Sequence, residues 1–598
     1  MPVISKENTI PESLKKRRHS AAHIMAEVVQ DMFPSARLAI GPAIDNGFYY
    51  DFDMDVTISQ KELKAIEKAV KKRIRQQVAF ERKTMTIAEA RSYFGHRDED
   101  YKLELIADLA ARGEQEVSLY CHGTWCDLCA GPHVATSQEI NAKGVKIDRV
   151  SGAYWRGDEK NKMLQRIYGL YFDTAEELKD YLAWREDAKK RDHRVLGKQL
   201  KLFMSSDVIG RGLPMLLPNG ATIRRILERW VVDEELKRGY SHVYTPVLGK
   251  VELYKISGHW DHYRHSMYSP IEIEDEAYVL RPMTCPYHFI MYKNELRSYR
   301  DLPVKYAEIS PLYRYEKSGE LTGLIRVRNF TLADAHLICT PEQMKDEFKK
   351  VIDLVNHIME TLGIAGKAWY RASLRDDEEA SEKYIDNPEM WAKGEALMLE
   401  ILEEMNLPYV IAKGEAAFYG PKIDVQLTNV YGKEETAFTI QIDLVLADRF
   451  DLEYVDQQGR KQRPVIIHRS SIGCLERTIA FLTEFYGGKF PPWFAPVQVQ
   501  IIPLGEDHHS YARTLEDTLR EANFRVHVDR RNESLGKKIR EARLQRIPYL
   551  AIIGDNEVAA GTLTVRNRDT GEQHTLDPAD FIARLGREIG DKLLHCRI

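Results

Sequence analysis

Cysteine is scarce in this chain, with seven in 598 residues. A small, odd number of cysteines in so long a chain argues against a disulfide framework and favours a reducing cytoplasm. The longest apolar runs, such as residues 549–553, are far shorter than the ~20 residues that a membrane helix needs. The polar N-terminal stretch lacks the apolar core of a secretory signal. The sequence therefore predicts a cytoplasmic protein without a membrane partner.

An excess of either charge is also missing. The chain has 86 Lys and Arg against 91 Asp and Glu, a net charge of −5, so the whole-chain charge does not indicate a nucleic-acid-binding protein. No Walker A loop, no G-x-G-x-x-G after a strand and no H-E-x-x-H is present. If ATP is used, another architecture must hold it. The length predicts three or four domains.

Patterns along the chain predict its local structure. Residues 60–82 are rich in charge and predict a solvated surface helix without a deep apolar face. Residues 174–203 predict a linker helix, and residues 340–363 a helix with an apolar stripe. The alternating runs 423–427 and 438–444 predict an antiparallel strand pair. The last hundred residues read strand–helix–strand–helix–strand, which predicts a small α/β domain with a mainly parallel sheet.

Two arginine-containing elements carry a weak signal by themselves. Arg314 and Glu316 stand two apart on a predicted strand and so share a face, where an Arg fork can bind a carboxylate or a phosphate. Arg477 stands near the start of a predicted helix, whose dipole also favours phosphate. From the residues alone, a surface ion pair and a solvated helical arginine are the favoured interpretations.

A set of His and Cys residues near the N-terminus has metal-ligand spacing. Two His stand one helical turn apart, and a Cys and a His repeat that spacing downstream. Such donors suit zinc, and the nearby Cys121 and Cys126 strengthen that interpretation. The residues alone therefore favour a structural zinc site. Its members are His19, His23, Cys129 and His133.

Taken in chain order, three stretches resemble the motifs of class II aminoacyl-tRNA synthetases. Residues 219–246, read as a strand leading into a helix, resemble motif 1; residues 303–328 resemble motif 2 and residues 466–477 motif 3. The class I signatures are absent. The resemblance implies a catalytic domain built on an antiparallel sheet, ATP as a substrate and, through motif 1, a homodimer.

Further residues resemble the threonyl-tRNA synthetase family. The match implies that Cys285, His336 and His468 are ligands of one zinc ion per chain, although their spacing alone indicates no metal site. In that family zinc binds the amino group and hydroxyl of threonine, which rejects valine but not serine. Because a missing methyl group is worth only about 1–3 kcal/mol, such an enzyme needs editing.

The same resemblance implies how threonine is activated with ATP and magnesium. Arg314 is expected on the α-phosphate and the threonine carboxylate, and Asp334 on the threonine hydroxyl. His259 is expected as a proton relay in transfer, with a buried structural histidine as an equally weighted alternative. The ATP-binding set is Arg314, Glu316 (adenine side), Arg326 and Arg477 (outer phosphates) and Gln441.

The N-terminal part resembles the editing domain of bacterial-type members of that family. Residues 46–51, 127–133 and 152–157 carry the match, together with the two N-terminal histidines. It implies a hydrolytic cleft for seryl-tRNA that works without metal, which competes with the zinc-site interpretation. The implied cleft residues are His19, His23, Lys102, Asp127, Cys129 and His133.

The C-terminal part carries a local excess of positive charge. Between Arg530 and Arg546 seven basic residues stand against two acidic ones, a pattern that is usually a solvated helix face. Residues 529–541, 554–558 and 565–566 nevertheless resemble the anticodon-binding domain shared by threonyl, prolyl, histidyl and glycyl enzymes. Unpaired bases can be recognised at their edges. The implied tRNA contacts are Asn532, Arg540, Glu557 and Arg566.

The resemblance covers residues 16–594 and departs at a few places. Leu332 stands where the family usually has Gln, Thr436 where it often has Gln, and Tyr287 where it often has Gly. A leucine cannot hydrogen-bond a carboxylate or an adenylate, but the three implied zinc ligands and both motif arginines remain, so activity is expected. The ubiquitin-like domain that begins many relatives is expected to be absent.

The sequence thus predicts a multidomain α/β and α+β chain that ligates threonine to tRNA(Thr) through threonyl-adenylate and edits seryl-tRNA(Thr). Three alternatives remain: a synthetase-like binder of tRNA or mRNA without activation, a metallohydrolase with two zinc ions per chain, and a prolyl- or seryl-type synthetase. The predicted divisions are an N-terminal arm (1–16), an α+β editing domain (17–173), a linker helix (174–202), an antiparallel-sheet class II catalytic domain (203–492) and an α/β anticodon-binding domain (493–598).

Overall fold

The computed structural model describes residues 10–376 and 384–598. The chain forms two compact units, one ending at Asp187 and the other beginning at Ala188. No helix in the described residues is both long enough and apolar enough to cross a membrane.

The first unit combines helices with two antiparallel sheets. One sheet has the strand order β1-β3-β8-β7, with β2 paired to β3, and the other has the order β4-β5-β6. This is the α+β organisation that the sequence predicts for this part. Its helices are α1 Glu12–Met32, α2 Gln60–Ile74, α3 Ile87–Gly95, α4 Asp100–Ala111 and α5 Ala175–Arg191. Its strands are β1 Arg37–Leu38, β2 Ala43–Ile44, β3 Gly47–Asp53, β4 Phe80–Thr86, β5 Glu116–His122, β6 Trp125–Leu128, β7 Val145–Tyr154 and β8 Met163–Tyr171.

Helix α2 departs from its prediction. It ends at Ile74 instead of reaching residue 82, and residues 80–86 form β4. The prediction that it lacks a deep apolar face is wrong, because four apolar residues spaced by three or four suffice to seat it on the core. Those buried residues are Leu63, Ile66, Val70 and Ile74.

One disulfide joins Cys121 on β5 to Cys126 on β6, two residues that face each other across the strand pair. The other five cysteines are free. A single local pair is not a disulfide framework, but two bonded cysteines have no thiolate to offer zinc and so do not support the zinc-site interpretation.

The second unit begins with a helical connection and an eight-stranded sheet. The predicted single linker helix is instead two helices, α5 and α6, because Asp192 caps the start of α6 with its side chain. The helices are α6 His193–Gln199, α7 Pro218–Leu236, α8 Val251–Ile256, α9 His259–His262, α10 Cys285–Lys293, α11 Met344–Thr361, α12 Pro388–Glu404, α13 Leu446–Arg449 and α14 Leu475–Phe485. The strands are β9 Phe203–Met204, β10 Met215–Leu216, β11 Ser241–His242, β12 Leu248–Lys250, β13 Ile271–Ile273, β14 Glu276–Leu280, β15 Val304–Tyr313, β16 Asn329–Cys339, β17 Ala368–Leu374, β18 Tyr409–Lys413, β19 Lys422–Thr428, β20 Glu434–Asp443, β21 Tyr454–Val455, β22 Lys461–Gln462 and β23 Val465–Cys474.

The eight-stranded sheet has the order β11-β15-β16-β23-β20-β19-β17-β18. All pairs from β15 to β17 are antiparallel, which confirms the predicted antiparallel sheet and the predicted β19–β20 pair. Residues 219–246 form a helix followed by a short strand, the reverse of the predicted order.

Helix α11 packs its apolar stripe against this sheet, as the sequence predicts. Its first helical residue is Met344, and Gly363 terminates it in the left-handed region with a φ of 70°. Each of its core side chains is fully buried and contributes about 1.5–3 kcal/mol through the hydrophobic effect. They include Phe348, Val351, Ile352, Val355 and Ile358.

The last part of the second unit has its own five-stranded sheet, ordered β25-β24-β26-β27-β28. The first three strands are parallel and the last two antiparallel, which confirms the predicted α/β organisation. The helices are α15 His509–Glu521, α16 Leu535–Leu544, α17 Asp555–Ala560 and α18 Pro578–Gly590. The strands are β24 Val499–Pro503, β25 Val526–Val528, β26 Tyr549–Ile553, β27 Leu563–Asn567 and β28 Gln573–Leu576.

Candidate functional site

A cavity of about 730 Å³ lies in the second unit and is lined from β16, β20, β23 and the segments around them. All of the residues that the sequence assigned to activation and metal binding line it. They are Cys285, His336, His468, His259, Asp334, Arg314, Glu316, Arg326, Gln441 and Arg477.

Three metal-ligand side chains meet in this cavity. His336 on β16 and His468 on β23 are direct partners across the strand pair, and Cys285 is the first residue of α10. One donor atom from each lies within 4.8 Å of the other two, and all three residues are buried. Burial holds the pKa of His336 well below its usual value, so its imidazole is neutral and offers a lone pair. Burial also raises the pKa of the Cys285 thiol, so a metal must displace its proton on binding.

Carboxylates and a further histidine orient both imidazoles. His468 Nε2 lies 2.8 Å from Asp443 Oδ2, which places its proton on Nε2 and leaves Nδ1 to a metal. His336 Nδ1 lies 2.8 Å from His288 Nδ1, and His288 Nε2 lies 3.5 Å from Glu308 Oε2. With His288 Nε2 protonated towards Glu308, its Nδ1 accepts from His336 Nδ1 and leaves His336 Nε2 to the metal.

Glu308 is the charged end of the hydrogen-bonded series His336–His288–Glu308. Arg281 donates to its Oε1 at 2.8 Å and Thr245 to its Oε2 at 2.7 Å. Burial opposes ionisation of Glu308, but the hydrogen bonds from His288, Thr245 and Arg281 outweigh it and hold its pKa below the usual value. No sequence pattern indicates His288 or Glu308, because partners on different elements come together only when α10 and β15 pack.

Two arginines of the cavity, Arg314 and Arg477, are held by backbone carbonyls. Arg314 donates its Nε to Pro282 O at 3.2 Å, and neither of its terminal nitrogens bonds a described residue. Arg477, on the first turn of α14, donates to Ile325 O at 3.1 Å and to Thr436 O at 2.8 Å. Arg326 is half exposed and lies 3.9 Å from Glu316. A planar guanidinium fixed through one edge keeps the other for a phosphate or carboxylate.

The predicted strand geometry of Arg314 and Glu316 is wrong in detail. Strand β15 ends at Tyr313, and both residues lie in the loop that follows. The chain leaves the sheet there because Tyr315 N bonds Ser266 O instead of the neighbouring strand. The loop still delivers both side chains to the cavity.

His259 and Asp334 are buried polar groups in the cavity wall. His259 is 3% exposed, its Nδ1 lies 2.8 Å from Ser257 Oγ, and burial lowers its pKa to about 3. Burial raises the pKa of Asp334 above its usual value. Both groups therefore favour their uncharged forms more than exposed side chains do.

The three departures from the family pattern have local explanations. Leu332 packs against an apolar cluster that includes Leu312 and Phe330. The Thr436 hydroxyl accepts a hydrogen bond from Gln426 at 2.7 Å. The Tyr287 hydroxyl lies 3.3 Å from that of Tyr254.

The first unit gathers all six predicted editing residues into a second cluster. Cys129 Sγ lies 3.4 Å from His19 Nε2 and 3.3 Å from His133 Nε2. His23 Nδ1 lies 3.5 Å from Asp127 Oδ2, and Lys102 Nζ lies 2.7 Å from Asp127 Oδ1. The members are His19, His23, Lys102, Asp127, Cys129 and His133.

Burial controls the protonation of this cluster. It lowers the pKa values of His19, His23 and His133 and raises that of Cys129 to about 11. Three neutral imidazoles and a neutral thiol therefore surround the Lys102–Asp127 pair.

Tyr50, which sequence reasoning missed, also donates its hydroxyl to Asp127 and accepts from Lys102 at 2.9 Å. Donor atoms of His19, His23, Cys129 and His133 lie within 4.8 Å of one another, so the geometry also permits a metal.

A third group of potential ligands, Asp192, His193 and Glu484, has a structural explanation. His193 Nδ1 lies 2.7 Å from Glu484 Oε1, and its Nε2 accepts from the Leu324 amide at 3.2 Å. With both ring nitrogens engaged by the protein, the imidazole has no lone pair left for a metal.

The basic run of the C-terminal part is less positive than its sequence. Arg531 pairs with Asp529 and Glu541, and Lys537 pairs with Glu533. Lys538 is 4% exposed and donates to backbone carbonyls.

The four predicted anticodon contacts differ in exposure. Asn532 and Arg540 are exposed, and Arg566 on β27 is half exposed. Glu557 accepts hydrogen bonds from Gly554 N and Thr564 Oγ1, so its carboxylate also stabilises the start of α17.

Family profiles match three parts of the chain. The tRNA synthetase class II core domain (G, H, P, S and T) matches residues 268–486, the anticodon binding domain matches residues 498–588, and the threonyl and alanyl tRNA synthetase second additional domain matches residues 117–168. Together with the antiparallel sheet and its cavity, these matches define a class II aminoacyl-tRNA synthetase, which uses ATP with a divalent cation and acts on tRNA.

Curated relatives specify the family within that class. A threonine–tRNA ligase of Geobacillus kaustophilus (strain HTA426) is 48% identical over 98% of this chain and 89% of its own length. That of Clostridium perfringens (strain SM101 / Type A) is 49% identical over 96% of this chain and 88% of its own length. The chain belongs to the threonine–tRNA ligase family. It is thus an aminoacyl-tRNA ligase with a class II core for aminoacylation and an additional domain that is associated with editing.

Solved structures agree with this assignment. The RNA binding domain of threonyl-tRNA synthetase from Cryptosporidium parvum Iowa II is 35% identical, with a TM-score of 0.62 over 66% of this chain and 98% of that chain. The ThrRS-1 protein from Aeropyrum pernix is 29% identical, with a TM-score of 0.59 over 67% of this chain and 96% of that chain.

Proposed function

We propose that this chain forms threonyl-adenylate in the cavity of the eight-stranded sheet and hydrolyses seryl-tRNA(Thr) in the cluster of the first unit. The observation that carries the proposal is the Cys285–His336–His468 cluster in the same cavity as Arg314 and Arg477. Activation of an amino acid by ATP needs arginines that bind the phosphates, and selection of that amino acid by a metal needs metal ligands beside them; this cavity contains both.

Zinc is the proposed metal, with one ion per chain. One thiolate and two neutral imidazoles form a donor set that zinc prefers, and three protein ligands leave a position for substrate. The contacts of His468 with Asp443 and of His336 with His288 support this choice, because bound imidazoles are held by a second hydrogen bond. When bound, zinc supplies Lewis-acid ligation of the amino group and hydroxyl of threonine, which valine cannot match.

Arg314 is proposed to bind the α-phosphate and the threonine carboxylate, where negative charge increases in the transition state. Its fixed Nε and its terminal nitrogens without a bonded partner among the described residues support this role. Arg326 and Arg477 are proposed to hold the outer phosphates, with magnesium accompanying ATP. Glu316 and Gln441 complete the ATP-binding set, with Glu316 on the adenine side.

Two buried groups are proposed to handle protons and the hydroxyl of threonine. Asp334 accepts the hydrogen bond of the threonine hydroxyl. His259, neutral at physiological pH, takes the proton that the terminal ribose hydroxyl loses as it attacks the carbonyl carbon of the acyl–phosphate anhydride in threonyl-adenylate, which forms the ester to the ribose and breaks the bond to the phosphate. The adenylate then leaves as AMP.

The editing reaction is proposed to use water as the nucleophile. Water attacks the carbonyl carbon of the seryl ester, a neutral histidine among His19, His23 and His133 takes its proton, and the terminal ribose oxygen leaves with a proton. The Lys102 ammonium, held by Asp127, stabilises the negative charge that develops. Cys129 lines the cleft as a neutral thiol.

The remaining assignments follow the same resemblance. Asn532, Arg540, Glu557 and Arg566 are proposed to contact the anticodon of tRNA(Thr), and the divisions 1–16, 17–173, 174–202, 203–492 and 493–598 are proposed as functional regions. A homodimer is proposed through the motif 1 stretch, where the aromatic side chain of Tyr244 is 92% exposed and so accessible to a second copy of the chain. The cytoplasm is the proposed location.

Two variants separate the two sites experimentally. Arg314→Ala is expected to abolish threonine-dependent ATP–pyrophosphate exchange and leave hydrolysis of preformed seryl-tRNA(Thr) unchanged. His133→Ala is expected to abolish hydrolysis of seryl-tRNA(Thr) and leave threonine-dependent ATP–pyrophosphate exchange unchanged. Metal analysis of the unmodified chain is expected to give one zinc per chain. Two zinc ions, with the second lost in His133→Ala, would favour the metallohydrolase interpretation of the first unit.

A further inference from the structure

Helix α2 of the first unit, together with the residue that caps its C-terminal end, carries a stripe of exposed basic residues. The five residues are spaced by three, four, four and three positions, so at 100° per residue they fall within an arc of about 80°. The four buried residues of α2 fall within a similar arc on the opposite side. The basic stripe is Lys61, Lys64, Lys68, Lys72 and Arg75, all of them exposed.

The stripe lacks neutralising partners. The ion pairs of this helix are made by Lys71 with Glu67 and by Arg73 with Glu27 and Asp31, all off the stripe. Among the residues that the structure describes, no carboxylate lies within ion-pair distance of the five stripe residues.

The two acidic residues of α2 do not screen the stripe. Glu62 is engaged in the capping box with Ser59, and Glu67 accepts from Ile147 N at 3.2 Å. Like charges one turn apart destabilise a helix. Repulsion among the stripe residues therefore destabilises α2, and an anionic partner bound to the stripe would relieve that repulsion.

The C-terminal end of α2 is bonded to segments that flank the editing cleft. Ser137 Oγ donates to Ile74 O at 3.1 Å and accepts from Val78 N at 3.0 Å, which ties the end of α2 to the segment that carries Cys129 and His133. Arg73, in the last turn of α2, pairs with Glu27, one turn from His23 on α1. The stripe is ~21 Å long, at about 1.5 Å for each of the fourteen steps from its first residue to its last, and its C-terminal end is at the end of α2 that these bonds hold.

We propose that this stripe binds the sugar–phosphate backbone of the tRNA whose aminoacylated end enters the cleft. The inference rests on the proposed editing function and adds to it a surface that positions the substrate. Lysine and arginine side chains on an exposed helix face contact phosphates without base specificity, so the stripe contributes affinity and orientation and leaves the choice of tRNA to other contacts.

The test is the full-length triple variant Lys64→Gln/Lys68→Gln/Lys72→Gln. Each lost phosphate contact is expected to reduce the salt slope of seryl-tRNA(Thr) binding by about one, so the triple variant is expected to lose about three. The affinity lost between about 50 and 200 mM salt is then about 60-fold smaller than in the unmodified chain. The KM of deacylation rises while kcat stays unchanged, and threonine-dependent exchange is unaffected.

The control is the charge-matched variant Lys83→Gln/Arg91→Gln/Arg112→Gln, which removes three exposed basic residues of the same unit, in β4, in α3 and directly after α4. It is expected to keep the salt slope and KM of the unmodified chain. An unchanged slope and KM in the stripe variant, an equal loss in the control, or a fall in kcat alone would overturn the inference. Absence of deacylation in the unmodified chain would instead refute the proposed editing function.

Discussion

Replacing His288 by leucine tests the hydrogen-bonded chain behind the metal site. The change removes the acceptor of His336 Nδ1 in a place where both side chains are at most 1% exposed, so no solvent replaces it. Glu308 keeps Arg281 and Thr245 as partners and is not left as an isolated charge. The substitution therefore leaves the Nδ1 proton of His336 without an acceptor and leaves the other contacts of Glu308 in place.

A buried donor without a partner costs about 1–3 kcal/mol. At about 1.4 kcal/mol for each factor of ten, this predicts a 5- to 150-fold weaker zinc affinity in His288→Leu. The range agrees with the roughly 10–100-fold losses that follow removal of a residue behind a metal ligand. His288→Asn is expected to recover part of the loss, since its Oδ1 offers an acceptor close to the position of Nδ1.

The assay is competition for zinc between the protein and a chromophoric chelator, with His527→Leu, an exposed histidine of the C-terminal part, as the control. This assay measures zinc affinity directly and does not depend on enzymatic activity. An affinity of His288→Leu within two-fold of the unmodified chain, or an Asn variant no better than the Leu variant, would refute the assigned tautomers and the role of this chain of contacts.

Three further predictions concern the first unit. Since burial raises the pKa of Cys129 to about 11, its alkylation by iodoacetamide is expected to accelerate tenfold per pH unit from pH 7 to 10 without a plateau; a plateau near pH 8 would contradict this. Lys102→Met leaves the 1%-exposed Asp127 carboxylate without its cation, so the unit is expected to lose about 3–5 kcal/mol in a denaturant titration and to lose deacylation. Ile66→Ala is expected to cost about 2–5 kcal/mol and Lys68→Ala less than about 0.5 kcal/mol, and equal losses would contradict the assigned faces of α2.

Sequence patterns were sufficient where one element carries its own signal. The apolar stripe of α11, the antiparallel β19–β20 pair and the alternating elements after residue 497 each contain the periodicity that produces them. Patterns were insufficient where four well-spaced apolar residues were hidden among charges, as in α2, or where a capping side chain such as Asp192 divides a helical run.

The functional sites show a different limit of prediction from sequence, because their residues come from separate parts of the chain. Cys285, His336 and His468 are far apart in sequence, and only the resemblance to a family brought them together before the fold did. His288, Glu308 and Tyr50 remained invisible because their roles depend on which elements pack against the site. Spacing alone suggested zinc for the N-terminal cluster, since it could not reveal that Lys102 and Asp127 lie within the same cleft.

The most direct test of the account is amino-acid-dependent ATP–pyrophosphate exchange with zinc-replete protein, in which threonine, serine, valine and proline are offered separately. Exchange is expected with threonine, weaker exchange with serine and none with valine, because selection depends on a hydroxyl that a metal at Cys285, His336 and His468 can ligate. Leu332 is expected to be tolerated, since its side chain packs with the apolar cluster beside the cavity. Exchange with valine equal to that with threonine, or no exchange with any of the four, would contradict the central claim.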